Sequence, residues 1–142
     1  MILVENLVKH LKKNKIDFFT GVPDSILKSF SSHLESYSHK KHVIAANSCT
    51  NGILATLKAL DLKKGDEIIT SPYTFISTIN TLYQLELKIV FADISMDDFN
   101  IDFDELKKKI TKKTKCILIT HFGGNPFDIR KLSKIKNKKI KI

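Results

Sequence analysis

Four short polar stretches hold the residues whose types and spacing suit chemistry. Ser48-Cys49-Thr50-Asn51 sets hydroxyl, thiol and amide groups just before an apolar run with helical spacing, Ile53, Leu54, Leu57 and Leu60. Lys64-Gly65-Asp66 leads into Glu67-Ile68-Ile69-Thr70, and Ser71 to Thr78 opens a second helical run with Tyr73 and Phe75 inside it. His121-Phe122-Gly123-Gly124 follows a third apolar stretch. A helix N-terminus exposes N–H groups and the positive end of its dipole, so two such termini joined by one strand favour an anion, a phosphate above all. On pattern alone Thr50 reads equally well as a plain helix cap, and Phe75 as ordinary core. A thiol at a helix N-terminus is activated, but no base stands near Cys49 in sequence, so it is not read as a nucleophile. His121 reads as a polar residue at a strand end and Asp93 as a turn residue. Neither is assigned a catalytic part. Cys49 and Cys116 form no disulfide framework and no metal-ligand spacing, so no metal is expected.

The elements that must carry these stretches alternate. Residues 2–15 predict an amphipathic helix with Leu3, Leu7, Val8 and Leu11 on one face; 16–19 a strand; Asp24 or Ser25 the cap of a helix reaching Leu34; and His42 to Ala46 a second strand. A helix is expected over Asn51 to Leu62, with Gly65 in the left-handed position at its end. Strands are expected over 67–70, 88–92 and 116–120, and helices over 74–85, from Ile101 with Asp102 as cap, and over 128–134. Lys139 to Ile142 predicts the start of one more strand. Strand, turn and helix in repetition give an α/β fold with a mostly parallel sheet flanked by helices. In such sheets ligands bind beyond the carboxyl ends of the strands, where the polar stretches fall. The last strand stops with no turn after it, and a truncated chain is expected.

The 142 residues suffice for a real core, and 42% hydrophobic with 27% charged residues reads as soluble and globular. No apolar run approaches the roughly 20 residues of a membrane span. With no signal peptide read at Met1 to Glu5, the expected location is the cytoplasm. The formal charge of +9 suggests nucleic acid, but Arg130 is the sole arginine and the lysines are dispersed. Bidentate phosphate and base-edge readout favour arginine, so specific nucleic-acid binding is not expected. A basic module that binds an acidic partner is the non-enzymatic alternative.

Residues 48–142 resemble the front of the large domain of DegT/StrS aminotransferases, fold-type-I enzymes that use pyridoxal phosphate, mostly on keto-sugar nucleotides. Ser48-Cys49-Thr50-Asn51 is similar to the family's Ser-Gly-Thr turn, with Cys in place of Gly. Lys64 to Ile69, Pro72 to Thr78, Val90 to Ile94, Asn100-Ile101-Asp102, Ile110 to Lys115 and His121 to Gly124 resemble further family signposts, in the family's order. The resemblance implies a partial pyridoxal phosphate site: Cys49, Thr50 and Asn51 at the phosphate and Phe75 stacked on the pyridine ring. It also implies a small-molecule substrate and, for the intact family, a homodimer. The family's Asp at the pyridine nitrogen and its Schiff-base Lys would follow Ile142, so no residue here takes a catalytic role. The chain is not expected to transaminate by itself.

The front differs. Phe18 to Lys28, Phe-Phe-Thr-Gly-Val-Pro-Asp-Ser-Ile-Leu-Lys, resembles the start of thiamine-diphosphate-dependent phosphonopyruvate or sulfopyruvate decarboxylases, as does His42 to Asn47. In that family a Glu follows the Asn and activates the cofactor, whereas Ser48 stands here. Thiamine diphosphate is therefore not expected to bind. The resulting division is a decarboxylase-like segment over 1–47 and an aminotransferase-like part over 48–142.

Overall fold

The computed structural model describes residues 35–36, 43–44, 46–135 and 139–142. The chain forms two compact units, residues 1–53 and 54–142. The elements expected over 2–15, 16–19 and 24–34 lie outside the described residues. Of the strand expected over 42–46, Val43, Ile44 and Ala46 are described and carry no strand pairing.

Helix α1 spans Cys49–Ala59. Ser48 starts it: its Oγ accepts the Asn51 N–H at 3.2 Å, satisfying one of the orphan donors of the first turn. The helix stops before Leu62, because Asp61 turns left-handed at φ 55° and its N–H bonds the Lys58 carbonyl. Gly65 does take the left-handed conformation, at φ 82°. It serves a separate turn, in which the Lys63 N–H donates to Asp66 Oδ2 at 2.8 Å. The Gly65 N–H reaches the Glu86 carbonyl at 2.9 Å, which pins that turn beside the start of the next strand pair.

Among the described residues, three parallel strands form a sheet: β1 (Glu67–Thr70), β2 (Lys88–Phe91) and β3 (Thr114–Leu118), in the order β2-β1-β3. All four residues of central β1 are buried, as a strand between two covered faces requires. Helix α2 (Ile76–Gln84) joins β1 to β2 and packs against β2. Helix α3 (Phe103–Lys109) precedes β3, and the expected cap Asp102 accepts the Glu105 N–H at 2.8 Å. Ile69 pairs in register with Val90 and Ile117. With Ala92, Ile101, Leu106, Phe127 and Ile140 they build one continuous core on that face. Period-two alternation sends the equally buried Ile68 and Cys116 to the other face.

The expected final strand is present as its first pairing. Lys141 bridges Cys116 in parallel, its N–H bonding the Lys115 carbonyl and its carbonyl the Ile117 N–H, both at 2.9 Å. The helix expected over 128–134 forms instead as a 3-10 turn, Ile129–Lys134. Asp128 caps it and grips the Arg130 guanidinium, while Ser133 Oγ bonds the Arg130 carbonyl at 2.7 Å. Such local side-chain bonds compete with the wider α-helical ladder in a six-residue segment.

Candidate cofactor site

In the first unit, the N-terminal turn of α1 presents Cys49, Thr50 and Asn51 in succession. Ser48 is the capping residue, so Thr50 is not the cap of this helix. Cys49 is exposed and Thr50 partly so. Asn51 is used locally: its N–H bonds Ser48, and its amide nitrogen donates to Asn47 Oδ1 at 2.7 Å. No hydrogen bond from the Thr50 hydroxyl is present among the described residues.

In the second unit, the carboxyl ends of β1 and β3 are laced together by hydroxyls. Thr70 Oγ1 donates to the Leu118 carbonyl at 2.8 Å, and Thr74 Oγ1 lies 2.9 Å from Thr120 Oγ1 and 3.3 Å from Thr78 Oγ1. No hydroxyl caps α2. Phe75 is the N-cap residue, with no side-chain cap bond, because the Thr74 hydroxyl is spent on Thr120 and Thr78. The Phe75 ring is 75% exposed. A large aromatic ring left open on a tied-down loop is unusual as core and suited to stacking.

Several residues at this end were not singled out for a role by sequence reasoning. Tyr73 stacks on Phe122 with ring centres 4.3 Å apart and planes at 26°. Buried Asn100 bonds the turn that carries Phe122. Only the motif membership of Tyr73 and Asn100 hinted at them; their partners lie some 20 to 50 positions away in the chain. His121 Nδ1 accepts the Phe127 N–H at 3.0 Å. For Nδ1 to accept, a neutral ring must carry its hydrogen on Nε2. Asp93 shapes its turn, with Oδ1 accepting the Ile94 N–H at 2.8 Å.

The chain as a whole has counterparts among known proteins. Residues 6–141 match the DegT/DnrJ/EryC1/StrS aminotransferase family. The chain belongs to that family. The match starts well before Ser48 and so runs through the stretch that resembles decarboxylases. The chain is 40% identical over 103 residues to the spore coat polysaccharide biosynthesis protein SpsC of Bacillus subtilis, covering 72% of this chain and 26% of that protein. It is 36% identical over 125 residues to the 3-oxo-glucose-6-phosphate:glutamate aminotransferase of the same organism, covering 87% of this chain and 28% of that one. The structure of E. coli GDP-4-keto-6-deoxy-D-mannose-3-dehydratase with bound hydrated pyridoxal phosphate superposes with a TM-score of 0.79 at 28% identity, over 99% of this chain and 37% of that one. The chain thus spans between about a quarter and somewhat over a third of the length of these proteins. No helix among the described residues is long and apolar enough to cross a membrane.

The residues expected at the phosphate and at the ring carry groups of a kind that suits the family's cofactor. Cys49 and Thr50 offer first-turn N–H groups and a hydroxyl, and Phe75 offers an open aromatic face. The two groups belong to different compact units, the first to residues 1–53 and the second to 54–142.

Proposed function

We propose that this chain is the cofactor-anchoring portion of a pyridoxal-phosphate-dependent sugar aminotransferase whose substrate is a keto-sugar or keto-sugar nucleotide, and that alone it does not transaminate. When bound, pyridoxal phosphate supplies the electron sink for amino-group transfer. The chain's own part is to bind and orient. The N–H groups of Cys49 and Thr50 and the Thr50 hydroxyl would take the phosphate, with Asn51 holding the turn. Phe75 would lie on the ring. The observation that carries this reading is the exposed Phe75 ring on a loop fixed by the Thr74–Thr120 and Thr70–Leu118 bonds. Family membership supports it. The sugar substrate is supported by the relatives' names alone, and so is homodimerisation of the intact protein by the family resemblance. By that resemblance no lysine here stands in the motif context of the lysine that holds the cofactor aldehyde, so none is assigned that role.

Equilibrium dialysis of pyridoxal phosphate against the chain tests the binding. Retained cofactor is expected, weakened roughly three- to tenfold by Phe75→Ala through loss of stacking and by a similar factor by Thr50→Ala through loss of a charge-assisted hydrogen bond. Cofactor that dialyses away completely overturns the reading. An assay with glutamate and a keto-sugar phosphate should show no turnover, and sustained turnover would overturn the claim of inactivity.

A further inference from the structure

Asn100 is 1% exposed, and its side chain is used at both ends. Oδ1 accepts the Phe122 N–H at 3.2 Å; Nδ2 donates to the Asn125 carbonyl at 3.2 Å and to Asp98 Oδ2 at 3.4 Å. Phe122 and Asn125 are the two ends of one tight turn, so a single buried amide staples it shut. The turn has need of a staple: Gly123 and Gly124 both sit at positive φ, 59° and 80°, and paired glycines lose much backbone freedom on ordering. The staple delivers the Phe122 ring. That ring stacks on Tyr73, and Phe99 leans on both, with centres 6.1 and 6.2 Å away. Phe99 itself holds a left-handed backbone at φ 58°, a strained state for an aromatic residue, directly before Asn100. Tyr73 lies two positions before Phe75, on the loop tied by Thr74 to Thr120.

We propose that Asn100 is a positioning residue for the strand-end site: by stapling the Phe122–Asn125 turn it sets the Tyr73–Phe122 stack, and through that stack the presentation of Phe75 to the cofactor ring. The last step rests on the function proposed above. Asparagine suits the place because the turn requires an acceptor and a donor from one short side chain. Aspartate would lose the donor and face Asp98, and leucine would leave the Phe122 N–H without its partner.

The test uses the full chain and the variants Asn100→Ala, Phe122→Leu and their combination. Aromatic NMR reads the upfield shift that the Phe122 ring imposes on the Tyr73 ring protons. Dialysis reads pyridoxal phosphate affinity. Either single substitution should abolish the Tyr73 shift and weaken binding roughly three- to tenfold, the range of a lost aromatic stack. The pair should bind no more weakly than the worse single variant, because both act along one route. Wild-type Tyr73 shifts in folded Asn100→Ala overturn the proposal, and so do losses that simply add. Should Asn100→Ala not fold, Phe122→Leu decides, and wild-type affinity there overturns it. If the unaltered chain holds no pyridoxal phosphate, the proposed function falls. The Tyr73 shifts then still decide whether Asn100 sets the stack.

Discussion

Glu67 places a carboxylate at the first position of the central strand with its side chain only 4% exposed. Burial alone would raise its pKa. The hydroxyls of Thr111 and Thr114, both 2.9 Å from Oε1, and the Lys88 ammonium, 3.2 Å from Oε2, more than offset burial, and the net shift is downward from 4.5. A carboxyl held below its unfolded pKa stabilises the fold fully above the unfolded value, and that contribution is lost as pH falls through the folded value. Glu67→Gln should therefore lower stability by about 1–2 kcal/mol at pH 7. The gap from wild type, read from urea midpoints, should narrow below pH 4.5. Lys88 is largely exposed, so most of the effect comes from the threonines. The two thiols contrast. Burial pushes Cys116 up to about 11, while Cys49 is exposed. A thiol reagent at pH 8 should modify Cys49 in the native chain and reach Cys116 only in denaturant. Rapid native labelling of both would show that β3 opens locally.

Among the elements, α3 shows how far local chemistry reaches. Asp102 caps it, Asp104 and Glu105 occupy its first turn, and Lys107 to Lys109 its last, all agreeing with the helix dipole. Asp102→Ala should cost about 1 kcal/mol, seen as a lower urea midpoint with an unchanged slope. A seven-residue helix has little else to hold its first turn. Such signals made Asp102 legible from the sequence. The ends of α1 and α2 were less so. Thr74 has the composition of a cap, yet its hydroxyl turns to Thr120, a partner 46 positions away. Ser48, Cys49, Thr50 and Asn51 all suit a helix start, and only the 3.2 Å bond from the Asn51 N–H selects Ser48.

At the scale of the molecule, the described residues of the second unit hold a three-stranded parallel layer with β1 at its centre. Ile69 is fully buried where β1, β2 and β3 align. Ile69→Ala should destabilise by about 2–5 kcal/mol, measured by denaturant unfolding, since the surrounding sheet relaxes poorly into the cavity. β1 was read from the sequence with its observed bounds, Glu67–Thr70, and β2 and β3 to within two residues. Short apolar runs bounded by polar turns leave few alternatives.

The sequence by itself determined the α/β alternation over 48–118, the strands β1, β2 and β3, the Asp102 cap and the resemblance that the DegT-family match bears out. These rest on interactions within a few residues of one another, or on motif order along the chain. Only the tertiary structure decided that Gly65 serves a turn pinned to Glu86, that Thr74 pairs with Thr120, and that Asn100 staples the turn holding Phe122 against Tyr73. Each joins groups separated by about 20 to 50 positions, and it is chain folding across a parallel sheet, not local propensity, that brings such groups within hydrogen-bonding or stacking distance.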